Sequence, residues 1–95
     1  MAAPLSVDKK QAQHLADKNR IELEAVGGLE WWKYAINAEL ETLAFYLRDG
    51  LELQEGQQPE EVATRTAIRK LTQYPDWYRR LKATEDAALR HWRKM

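Results

Sequence analysis

Leu29-Glu30-Trp31-Trp32-Lys33-Tyr34-Ala35-Ile36-Asn37-Ala38-Glu39-Leu40-Glu41-Thr42-Leu43-Ala44-Phe45-Tyr46-Leu47-Arg48 is the stretch on which the fold turns. Leu29, Trp32, Ile36, Leu40, Leu43 and Leu47 recur at steps of three and four, the period of one face of an α-helix. That stripe predicts a core-facing helix over 29–48. Trp31, Tyr34, Ala35, Phe45 and Tyr46 lie off the stripe, and the polar remainder (Glu30, Lys33, Asn37, Glu39, Glu41) sits mostly in the first half. Toward its C-terminal end the helix is apolar almost all round, so it is either central in its domain or covered by another chain. Trp31 and Trp32 point about 100° apart and cannot face one neighbour. Trp31, Tyr34, Phe45 and Tyr46 are therefore the expected contacts to a partner.

On the C-terminal side, Asp49-Gly50 supplies the left-handed position that ends a helix, and residues 51–58 form the longest interruption, with Leu51 and Leu53 available as anchors. Pro59-Glu60-Glu61 opens the next helix, because proline suits the first helical position and carboxylates favour the positive end of the dipole. It runs over 59–73 with Val62, Ala63, Ala67, Ile68 and Leu71 inward, a small-residue face that lets a neighbour approach closely. Tyr74-Pro75-Asp76 breaks it, since the residue before proline leaves the helical region. A last helix over 76–93 carries Tyr78, Leu81, Glu85, Ala88 and Trp92 on one spacing series, and Trp77, Tyr78 and Trp92 read there as core residues. On the N-terminal side, Ser6 is a good cap for a helix over 7–26, closed by Gly27-Gly28. Its apolar stripe of Val7, Ala12, Leu15, Ala16, Leu23 and Val26 is thin, which predicts a helix that is peripheral or that orders fully only against something else.

The 95 residues suffice for one domain, and 44% hydrophobic with 32% charged residues and only four Gly and three Pro point away from disorder and from a many-turned β protein. The expected fold is all-α, a small bundle of three to four helices with short connections, spanning 1–95. Cysteine is absent, which removes disulfides, thiolate metal sites and thiol nucleophiles. No apolar run approaches a membrane span and the first residues lack the pattern of a secretory leader, so the chain reads as cytoplasmic.

Net charge is zero but unevenly spread. Residues 1–64 carry six Lys/Arg against twelve Asp/Glu, and residues 65–95 carry nine against three. Such polarity is satisfied within the molecule, between copies packed head to tail, or by an anionic partner. The nucleic-acid alternative would use Arg79, Arg80, Lys82, Arg90 and Arg93 interleaved with Trp77, Tyr78 and Trp92, since stacking plus charge holds single strands. A chain without net positive charge disfavours it.

Catalytic patterns are missing. His14 and His91 stand apart from any Glu-x-x-His or His-x-x-x-His pair, no glycine-rich phosphate loop exists, and Ser6 is the only serine. Glu39 is the expected inward carboxylate of an unusual site, or else a residue solvated or paired with an arginine of the last helix. No metal, cofactor or enzyme activity is expected. Four Trp, four Tyr and eight Arg, the residue types enriched at interface hot spots, favour a noncatalytic interaction or assembly module whose partner is another protein or itself, a homo-oligomer.

Pro59-Glu60-Glu61-Val62-Ala63 through Ala67-Ile68-Arg69-Lys70-Leu71 to Tyr74-Pro75-Asp76-Trp77-Tyr78-Arg79-Arg80-Leu81 resembles a segment of small uncharacterised helical proteins of bacteria and phages. There a proline-headed helix leads into a Pro-x-Tyr-Tyr-x-x-Leu turn and helix, often with a histidine where this chain has Lys70. The resemblance implies two helices over 59–93 in a phage or bacterial accessory protein, and no activity.

Overall fold

In the computed structural model, which describes residues 5–93, four α-helices follow one another: α1 (Lys9–Lys18), α2 (Leu29–Arg48), α3 (Pro59–Gln73) and α4 (Trp77–Arg93). A short 3-10 turn (Leu23–Val26) lies between α1 and α2, and no strand occurs among the described residues. The chain is an all-α domain.

α2 is the axis, as its stripe demands. Trp32, Ile36 and Leu40 are fully buried, and Val7, Ala12, Leu15 and Ala16 pack against them from one side with Ala63 of α3 from another. The indole Nε1 of Trp32 donates to the Ala12 carbonyl at 2.9 Å, which ties α1 to α2 through a group that would otherwise be stranded in the core. α3 lies against α2 through Ala63 and Ala67, both buried, with Ile68 and Leu71 half-buried beside them. Thr64 is buried too, its hydroxyl satisfied by donation to the Glu60 carbonyl at 2.6 Å.

The N-terminal helix departs from expectation in its cap, its end and its place in the fold. The cap is Asp8, not Ser6: its carboxylate accepts from the Gln11 amide while the Gln11 side chain accepts from the Asp8 amide, a reciprocal capping box. The helix also stops at Lys18 rather than continuing to 26. Arg20 adopts φ +55°, and the Arg20 and Ile21 amides bond back to the carbonyls of Asp17 and Ala16, a Schellman closure built without glycine. Nor is α1 peripheral, because alanines at 12 and 16 let it lie close enough to α2 for Val7, Ala12, Leu15 and Ala16 to be buried, with Leu23 and Val26 of the following turn half-buried.

α4 departs from expectation as well. Of its expected inward series only Tyr78 is buried and Leu81 half-buried, whereas Ala88 and Trp92 are exposed, as is Trp77. Residues 87–93 all face solvent. The helix touches the body through its first turns and then projects, in keeping with a Cα radius of gyration of 14.3 Å against the about 12.4 Å expected of a compact chain of this length. No helix among the described residues is long and apolar enough to cross a membrane.

Candidate functional site

Pro75 positions everything that follows α3. Tyr74 takes φ −139° and ψ +87°, outside the helical region as a residue before proline must be, and the chain turns so that Tyr78 enters the angle between α2 and α3. There its hydroxyl donates to Glu39 Oε2 at 2.7 Å, and Lys70 Nζ reaches the two carboxylate oxygens of Glu39 at 2.9 and 3.1 Å. Glu39 is indeed inward, at 7% exposure, but its cation comes from α3 and not from an arginine of α4. Lys70 Nζ also lies 5.3 Å from the centre of the Trp77 ring. One carboxylate thus fastens three helices. Burial, reinforced by the Glu39 carboxylate, pushes the Tyr78 phenol well above the usual tyrosine range, so it stays protonated and donating at ordinary pH.

Two cations of α4, Arg79 and Lys82, go to the aromatic first half of α2. Arg79 lies 5.6 Å from the Trp31 ring centre and Lys82 lies 5.9 Å from that of Tyr34. Tyr34 donates to Glu85 at 2.9 Å and meets Trp31 and Tyr78 edge to face. Burial and the Glu85 bond push its phenol up to about 12. Two of the four expected contact residues, Trp31 and Tyr34, are therefore half-covered by the chain's own α4. Trp32 is the buried member of the tryptophan pair.

The other two, Phe45 and Tyr46, are open, at 58% and 53% exposure. They pack edge to face on each other at 5.8 Å. A Schellman closure sets what lies beside them: the Leu51 amide bonds to the Tyr46 carbonyl at 2.9 Å and the Gly50 amide to that of Leu47 at 3.3 Å, with Gly50 at φ +107°. Leu51 is folded back toward Tyr46 and is itself exposed, so it anchors nothing, whereas Leu53 is half-buried. Glu41 and Asp49 stand one turn before and after Phe45, and Glu52 and Glu55 follow in the loop, all exposed.

A second open apolar surface lies on α4. Leu89 and Trp92 are 55% and 69% exposed, flanked by Arg90 and Arg93, which join no ion pair among the described residues. Of the five basic residues of the nucleic-acid alternative, these two stand free; Arg80 pairs with Asp76 at 2.7 Å and Lys82 with Asp86 at 3.4 Å, while Arg79 lies on Trp31. An open groove of about 470 Å³ runs along Tyr74, Asp76, Trp77, Arg80, Leu81 and Thr84. Among the described residues no three His, Cys, Asp or Glu side chains gather as a metal site would need. The sequence missed the exposure of Trp92, because helical spacing reports which side chains share a face and not whether a neighbour reaches it.

No protein-family model, curated protein or solved structure matches the chain.

Proposed function

We propose that this protein is a noncatalytic interaction or assembly module of the cytoplasm, which binds another polypeptide through the end of α2. The observation that carries the reading is the exposed pair Phe45 and Tyr46, with the exposed Leu51 tied back to Tyr46 through the backbone of the helix closure and the exposed acids Glu41, Asp49, Glu52 and Glu55 close by in sequence. Large rigid side chains held in water without cover are what interface cores are made of. The half-covered Trp31 and Tyr34 are secondary in this reading, since α4 already occupies them. Photo-crosslinking tests it: with Tyr46 replaced by p-benzoylphenylalanine in living cells, irradiation joins the chain to protein. Recovery of the chain free of any protein adduct contradicts the reading.

A single-stranded nucleic-acid binder is the second reading, favoured by the exposure of Trp92 beside Arg90 and Arg93 at the end of α4, with Trp77 exposed at its start. It requires affinity that falls steeply with salt and is lost in Arg90→Glu with Arg93→Glu. Binding that ignores salt, or survives that double change, removes it.

A further inference from the structure

We propose that the chain binds a second copy of itself head to tail, the projecting end of α4 in one copy seating on the Phe45–Tyr46–Leu51 patch of the next. This rests on the interaction reading above and names its partner. Leu89 and Trp92 continue the face by which Tyr78, Leu81 and Glu85 meet the body, so the apolar side of α4 runs about two turns past the surface it packs on. Within one copy the two apolar surfaces are exposed at the same time, so neither covers the other.

Their charges are opposite. The tail carries exposed Arg90 and Arg93, and the residues that neighbour the patch in sequence include the exposed acids Glu41, Asp49, Glu52 and Glu55, with Arg48 the one cation among them. None of these six complementary groups is in an ion pair among the described residues. Opposite signs steer two such surfaces together and oppose pairing of tail with tail or patch with patch. In the proposed arrangement each copy gives its tail to one neighbour and receives the tail of another, so the contact is heterologous and grows into rings or chains.

The test mixes two variants. Leu89→Ala with Trp92→Ala removes the tail, and Phe45→Ala with Tyr46→Ala removes the patch; all four side chains are exposed, so helicity by circular dichroism should be unchanged. In sedimentation velocity the unsubstituted chain forms species that lengthen with concentration, and each variant alone associates roughly thirty-fold more weakly. An equimolar mixture of the two restores one good contact and stops at a one-to-one pair. Arg90→Glu with Arg93→Glu deletes no apolar side chain and gives the same loss as the tail variant, which keeps the test decisive if an alanine pair unfolds. A mixture that stays monomeric while the unsubstituted chain associates overturns the proposal. So does a dimer lost in the patch variant and kept in the tail variant, which means two-fold packing of α2 and leaves the interaction reading standing. A chain monomeric at every concentration also overturns it; the Tyr46 crosslink then decides the broader reading, which survives on an adduct to a different protein and falls on none.

Discussion

Replacing Lys70 by methionine removes the ammonium that lies 2.9 and 3.1 Å from Glu39 and leaves a carboxylate of 7% exposure with one donor, the Tyr78 hydroxyl at 2.7 Å. Stranding a buried charge costs about 3–5 kcal/mol, and the remaining hydroxyl keeps this case near about 3 kcal/mol. Glu39→Gln is not the mirror image. The Lys70 side chain is 32% exposed and lies over Trp77, so its charge turns to water, while the new amide still offers Tyr78 an acceptor. That change costs about 1 kcal/mol. A domain of this length is stable by only about 5–10 kcal/mol, and each kcal/mol moves its Tm by about 4–8 °C, so the losses are roughly 15 °C and roughly 5 °C. Urea unfolding followed by circular dichroism at neutral pH, with calorimetric Tm values, measures both. Equal losses, or the larger loss in Glu39→Gln, refute the assignment of Glu39 as the enclosed partner.

Three further outcomes follow from single contacts. The folded-state pKa of Tyr78 is raised, so its contribution is complete below the unfolded tyrosine value near 10 and is lost above it; stability should fall by up to about 1.4 kcal/mol per pH unit there, and Tyr78→Phe should flatten that alkaline slope. Asp8→Ala should cost about 1 kcal/mol in equilibrium unfolding and Ser6→Ala almost nothing, because only Asp8 closes the capping box. Gly27→Ala should cost about 1–2 kcal/mol, since Gly27 holds φ +91° and a Cβ there would stand 3.0 Å from Arg79 Nη2; moving Arg79 off Trp31 should also change tryptophan emission.

Much of the fold was legible because its signals are local. The stripe through Trp32, Ile36 and Leu40, the glycine after Asp49, and the prolines at 59 and 75 each act within a turn of themselves, and the bounds of α2 and α3 follow from them. The end of α1 was hidden because its left-handed residue is Arg20, which carries none of glycine's signature; the low helix propensity of Asn19, whose amide caps the Leu15 carbonyl at 2.8 Å, was the available hint. The candidate surface was half legible. Excess apolar girth at the end of α2 pointed to Phe45 and Tyr46, which are open, but Trp31 and Tyr34 share that chemistry and are partly covered by Arg79, Lys82 and Glu85 from α4. Only the direction in which α4 leaves the body separates the two pairs, and that depends on Tyr78 finding Glu39 across 39 residues of sequence.

Sedimentation velocity of the unsubstituted chain, over a concentration series at low and at high salt, bears most directly on how the two exposed ends are used. Head-to-tail docking gives a mass that rises above 11.1 kDa with concentration and shrinks as salt screens Arg90 and Arg93 from the acidic patch. A single 11.1 kDa species throughout, indifferent to salt, contradicts it.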